Sequence, residues 1–170
     1  MDGFMARRDA EGEGSEGSGP LVLVVEDEAL LALDLEQILA GAGHRAAAAG
    51  DGPAALALAA AHGARLAAAV VNLGLPGDMA GQEVVRRLRA LRPGLPVVVV
   101  TGRRPEAPEA DLRGLGAPTA RVAKPFAAEE LLGRLAEVLR GRPGPDSPDR
   151  RAASRAGRRR REACLLTTDP

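Results

Sequence analysis

The sequence predicts an α/β protein: a single doubly wound parallel sheet of five strands with helices on both faces. Three observations predict it. Five short apolar runs are spaced through residues 20–140, stretches with helical spacing of apolar residues alternate with them, and most of the connections are short. A length of 170 residues suits one such domain with a tail at either end.

The elements follow in order. Leu21-Val-Leu-Val-Val25 is apolar at every position and rich in β-branched residues, which fits a strand buried on both faces. From Glu28 the apolar residues Leu31, Leu35, Ile38, Leu39 and Ala42 recur at helical spacing until Gly41 and Gly43 supply a stop. His44–Ala49 is a strand by position more than by composition, because alanine has poor strand preference. Asp51-Gly-Pro opens an alanine-rich helix that ends near Gly63.

Leu66–Val71 is the third strand, followed at once by Asn72-Leu-Gly-Leu-Pro76. A helix from about Gly81 is expected to bury Val84, Val85, Leu88 and Leu91 before Pro93 stops it. Val97–Val100 is the cleanest strand of the chain and ends at Thr101-Gly102. Pro105 and Pro108 should make the helix between Arg103 and Gly116 short and late-starting. Thr119–Ala123 is the fifth strand, leading into Lys124-Pro125-Phe126, and a fifth helix over Ala128–Arg140 aligns Leu131, Leu135, Val138 and Leu139.

The formal net charge of zero conceals an uneven distribution. Residues 1–19 carry two basic and five acidic side chains, residues 20–140 carry 13 and 14, and residues 141–170 carry eight arginines and four acids, giving −3, −1 and +4. The acidic, Gly-rich segment 1–19 and the Arg-rich segment 141–170 lack hydrophobic periodicity, so both are expected to be disordered tails around a domain at 20–140. A single cysteine, Cys164, excludes an internal disulfide framework. The N-terminal stretch lacks the apolar core of a signal peptide, and no apolar run approaches the roughly 18 residues of a membrane span. A soluble cytoplasmic protein without membrane contact is the expectation.

Composition also singles out two residues. Ala, Gly, Arg and Pro fill 90 positions, and the chain holds one lysine, Lys124, and one asparagine, Asn72. Both fall at strand ends, where open parallel sheets bind their ligands. Glu26 and Asp27 follow the first strand, Asn72 the third, Thr101 the fourth and Lys124 the fifth. Each has an ordinary alternative: acids favour a helix N-terminus through its dipole, and a lone lysine is usually a surface lysine. Taken jointly and in order, however, they assemble hard oxygen ligands suited to Mg²⁺, a hydroxyl donor and an ammonium at one sheet end.

With those residues in place, the chain resembles the receiver domain of two-component response regulators, through VLVVEDE (22–28), VVNLGLPG (70–77), VVVVTG (97–102) and VAKPF (122–126). The resemblance covers about residues 20–140 and implies a flavodoxin-like sheet of order 2-1-3-4-5 with five helices. It further implies a non-enzymatic signalling module in which an aspartate after strand three accepts a phosphoryl group from a histidine kinase. Mg²⁺ is held by the acid pair, which Glu26 and Asp27 match, with position 72 and the backbone carbonyl of Gly74. Thr101 and Lys124 match the switch hydroxyl and the phosphoryl-contacting lysine. Lys124-Pro125 matches a peptide that is usually cis.

Two positions depart from that pattern. Asn72 stands where the phosphoacceptor aspartate belongs, and Arg121 stands where the switch aromatic usually sits. A neutral amide cannot be activated by deprotonation near pH 7, so it forms no acyl phosphate. The lost carboxylate removes one charge from the Mg²⁺ site, so weak Mg²⁺ binding is expected. It also relieves repulsion among clustered carboxylates. Lys124 is expected to reach the Asn72 amide oxygen, and an arginine at 121 is expected to lie outward with its head solvated.

The expected function is therefore a phosphorylation-independent pseudo-receiver that binds a protein partner, a sensor histidine kinase or another signalling protein. A second reading gives Arg150, Arg151, Arg155 and Arg158–Arg161 a role in binding nucleic acid or an acidic partner by charge alone. An enzyme reading, a phosphatase with a strand-one aspartate nucleophile, requires Asp-x-Asp where this chain has Glu26-Asp27-Glu28. A dinucleotide site fails because no G-x-G-x-x-G follows the first strand.

Overall fold

The computed structural model describes residues 19–104, 112, 114–116 and 118–141. The chain runs β1 (Leu21–Val25), α1 (Ala29–Gly41), β2 (Arg45–Ala49), α2 (Gly52–His62), a 3-10 turn (Gly63–Arg65), β3 (Leu66–Asn72), α3 (Gly81–Leu91), β4 (Val97–Thr101), β5 (Thr119–Ala123) and α4 (Ala128–Arg140). The strands form one parallel sheet in the order β2-β1-β3-β4-β5. Four α-helices stand among the described residues where the sequence predicts five. The expected helix between Arg103 and Gly116 falls largely outside those residues, as do segment 1–18, the Arg-rich segment 142–170 and Cys164.

Alternation along each strand divides the core into two layers. Leu23 and Val25 of β1, Ala69 and Val71 of β3, and Val97 and Val99 of β4 face α2 and α3, where they meet Ala55, Ala59, Val84, Val85 and Leu88. Val22, Val24, Ala68, Val70, Val98 and Val100 face the opposite way, against Leu35 and Leu39 of α1 and Leu131, Leu135 and Val138 of α4. Both faces being covered, the central strands are apolar without alternation up to their carboxyl ends, where β3 and β4 close on Asn72 and Thr101. Helix α2 offers only Ala55 and Ala59, with Gly52, to full burial, and such small side chains let its backbone lie close to the sheet.

Local chemistry sets the boundaries. Asp51 caps α2 by accepting from the Ala54 N–H at 2.8 Å, with Pro53 in the first turn. Gly81 opens α3 because a Cβ there would strike the carbonyl oxygen of Asn72 and come within 2.6 Å of the Leu73 Cα. On the outer face of α3 the Arg87 guanidinium holds the Glu83 carboxyl below its usual range. On the inner side, Arg89 donates to the carbonyls of Leu95 (3.0 and 3.1 Å), Pro118 (2.6 Å) and Leu115. Burial lowers the pKa of this guanidinium, and the three carbonyls belong to the segments that lead into β4 and β5.

Three differences from the sequence reading have physical reasons. Leu91 is 57% exposed rather than buried, because it lies in the last turn of α3 and the chain turns away at Arg92. Strands β3 and β4 each run one residue further than the apolar runs. The Leu73 N–H donates to the Val100 carbonyl at 2.9 Å and the Lys124 N–H to the Thr101 carbonyl at 2.8 Å, so strand pairing continues past the last valines. Asn72 and Thr101 are thus strand residues, held by the ladder rather than carried on loops. Among the described residues, no helix is long and apolar enough to cross a membrane.

Candidate functional site

The parallel sheet delivers the carboxyl ends of β1, β3, β4 and β5 to one edge, and the polar residues singled out in the sequence gather there. Glu26 follows β1 directly, its N–H donating to the Ala49 carbonyl at 3.0 Å, and it is 3% exposed. Asn72 closes β3, in register with Val100 of β4, and is 8% exposed. Thr101 closes β4 opposite Ala123, and Lys124 follows β5 through a cis peptide to Pro125. Burial of one carboxylate and one carboxamide at a sheet end demands partners, since an unpaired buried polar group is costly.

The partners are found within the cluster. The Asn72 side-chain nitrogen Nδ2 donates to Glu26 Oε1 at 2.9 Å and to Asp27 Oδ1 at 3.0 Å. Its oxygen Oδ1 accepts from the Gly74 N–H at 2.9 Å. Lys124 Nζ donates to Glu26 Oε2 at 2.9 Å, an ion pair in which the carboxylate is buried and the ammonium half-buried. The Glu28 N–H approaches Glu26 Oε1 at 3.4 Å. The amide orientation follows from this chemistry: turned over, Oδ1 would face two carboxylate oxygens and Nδ2 would face a backbone donor.

Glu26, Asp27, Asn72, Gly74 and Lys124 therefore form one network. It differs from the sequence expectation in one bond. Lys124 pairs with Glu26 rather than with the Asn72 oxygen, which is occupied by the Gly74 N–H.

Thr101 and Arg121 form an adjoining group that meets at Arg103. The Thr101 Oγ1 accepts from the Arg103 N–H at 3.0 Å, and Arg121 Nη2 donates to the Arg103 carbonyl at 2.6 Å. Arg121 lies outward, as its charge requires, and ties β5 to the turn after β4. Arg103 was not singled out in the sequence, although its position two residues past Thr101 was the available signal. It also lines, with Leu73, Gly74, Leu75, Ala80 and Gln82, a shallow hollow of about 160 Å³ beside the network. His44 and His62 take no part in the site; the Nδ1 atoms of both are buried without a hydrogen-bond partner.

Comparison with known proteins agrees with this fold. Residues 22–136 match the sequence pattern of the response regulator receiver domain. The chain is 42% identical over 128 residues to the sensory transduction protein RegX3 of Mycolicibacterium smegmatis, covering 75% of this chain and 53% of that protein. It is 39% identical over 127 residues to the probable transcriptional regulatory protein TcrX of Mycobacterium tuberculosis, covering 74% and 52%. The chain thus spans about half the length of these relatives. Among solved structures, it resembles the chemotaxis protein CheY4 of Vibrio cholerae at 30% identity, with a TM-score of 0.63 over 71% of this chain and 99% of that one. It also resembles the receiver domain of a Pseudomonas aeruginosa sensor histidine kinase, described with a magnesium ion coordinated in its active site cleft. That likeness is at 25% identity, with a TM-score of 0.62 over 72% of this chain and 98% of the other.

Proposed function

The chain belongs to the response regulator receiver domain family, and on that premise we propose that it serves two-component signalling as a pseudo-receiver, acting by protein contact without accepting a phosphoryl group. One observation carries the reading: the residue at the acceptor position is an amide whose two donors and one acceptor are all engaged. An acyl phosphate forms when a carboxylate oxygen attacks phosphorus, and Asn72 offers a neutral amide nitrogen hydrogen-bonded to two carboxylates instead. Lys124, the ammonium that would balance an incoming phosphoryl group, is committed to Glu26. Arg121 replaces the aromatic that would turn inward, and its outward bond to Arg103 favours a single arrangement of this edge.

A pseudo-receiver works by offering one surface to one partner. The partner proposed is a protein of the same signalling class, a sensor histidine kinase or another regulator. Helix α1 leaves the acid pair directly and carries Leu30 at 76% and Leu33 at 50% exposure, an apolar footing beside the site.

Amide spectra of ¹⁵N-labelled chain in Mg²⁺, before and after addition of acetyl phosphate, test the reading. The two spectra should coincide. Shifts concentrated at residues 72–74, 101–103 and 124 would overturn it.

A further inference from the structure

We infer that in this chain the Asn72 amide and the Lys124 ammonium do the work of a divalent cation, so that the acid pair is held closed without Mg²⁺ and does not respond to it. This inference rests on the pseudo-receiver reading and concerns the same site.

The donor set is the first argument. Mg²⁺ binds through one or two carboxylates together with waters, and demands near-octahedral access at about 2.0–2.1 Å. Here both oxygens of the buried carboxylate, Glu26, are already engaged: Oε1 accepts from Asn72 Nδ2 and Oε2 from Lys124 Nζ. Asp27 Oδ1 accepts from the same amide nitrogen, which therefore stands between the two acids where a cation would have to enter.

Charge is the second argument. Glu26 and Asp27 contribute two negative charges, and the Lys124 ammonium at 2.9 Å neutralises one of them. An ion entering this cluster must break the Asn72 bonds to both acids, leaving the amide nitrogen unpaired, and must meet a fixed cation across Glu26. The acid pair accordingly works as a clasp: β1 is tied to β3 through the amide and to β5 through the ammonium, across 46 and 98 residues of sequence.

Thermal unfolding with EDTA or with about 10 mM MgCl₂ tests this, because a site of about 1 mM affinity would raise the midpoint of a domain this size by about 5 °C. The wild-type midpoint should move by less than about 1 °C on that scale, whereas Asn72→Asp should gain the full increment. A wild-type rise equal to that of the variant overturns the inference. If the variant does not fold, the wild-type side-chain amide signals of Asn72 under Mn²⁺ titration decide: they should stay sharp, and selective broadening overturns the inference. The two readings fail separately. Mg²⁺ stabilisation without a phosphoryl adduct sinks only the clasp, and an adduct on a chain indifferent to Mg²⁺ sinks only the pseudo-receiver.

Discussion

Replacing Asn72 by aspartate turns the clasp into a repulsive cluster, and the structure sets the size of the effect. The new carboxylate would place an oxygen 2.9 Å from Glu26 Oε1 and 3.0 Å from Asp27 Oδ1, where the amide now donates. With charge centres about 4 Å apart and an effective dielectric near 20, each contact costs about 4 kcal/mol before relaxation. Protonation limits the total, since a carboxyl of ordinary pKa near 3.9 can be neutralised at pH 7 for about 4 kcal/mol. Lys124 returns part of the remainder. The expected net loss in metal-free buffer is about 2–4 kcal/mol, or roughly 8–16 °C in melting temperature for a domain of this length.

The sign of the pH dependence separates charge crowding from simple loss of hydrogen bonds. The variant's new carboxyl binds its proton more tightly in the folded state than in the unfolded state. Its penalty is therefore fully present above the raised folded value and disappears as pH falls towards about 4. Circular dichroism melts of both proteins in EDTA between those limits should show the gap narrowing as pH falls. Asn72→Ala, which removes the donors without adding charge, should cost less than Asn72→Asp at pH 7. A variant as stable as wild type, or more stable, at pH 7 without metal would mean that the three acids do not crowd one another.

The remaining predictions concern the frame that holds the site. Arg89→Ala should cost about 2–3 kcal/mol in urea unfolding, because it leaves three backbone carbonyls without their charged donor. Arg89→Lys should recover only part, since one ammonium cannot span all three; full recovery would reduce the role of Arg89 to charge alone. Gly81→Ala should destabilise by more than about 1 kcal/mol although alanine is the better helix former by about that amount, because the added methyl meets the backbone of Asn72 and Leu73. A stabilised variant would mean that β3 and α3 can separate at no cost.

Much of this architecture is legible in the sequence, for reasons that particular residues make clear. Leu21–Val25 and Val97–Val100 are apolar without alternation because both sheet faces are covered, and a run of that kind has few other uses. The rarity of asparagine and lysine drew attention to the two residues that grip the acid pair. How they grip it was beyond sequence reasoning. The Gly74 N–H claims the Asn72 oxygen, which turns the amide nitrogen to the acids and sends Lys124 to Glu26 instead. That choice depends on three strand ends meeting, not on any local pattern.

Arg89 was hidden in the same way. On an amphipathic helix it reads as one more surface charge, and its partners near Leu95, Leu115 and Pro118 lie in segments that the chain brings back later. Leu91 misled through its spacing from Leu88, which continues the helical stripe one turn beyond the sheet it would pack on. The alanines of β2 and α2 offer little hydrophobic contrast, so position locates β2 and the Asp51-Gly-Pro start signal locates α2.

Intact-mass spectrometry reads out whether position 72 takes a phosphoryl group. The native chain and Asn72→Asp would be incubated in parallel with a small phosphodonor and Mg²⁺. The native chain should gain no mass, and the variant should carry a hydroxylamine-labile phosphoryl adduct. The native chain should also show no amide-to-acid conversion, because the Leu73 N–H that would have to attack the Asn72 side chain is held by the Val100 carbonyl. A stoichiometric, hydroxylamine-labile adduct on the native chain would mean that this site is a working phosphoacceptor and not a pseudo-receiver.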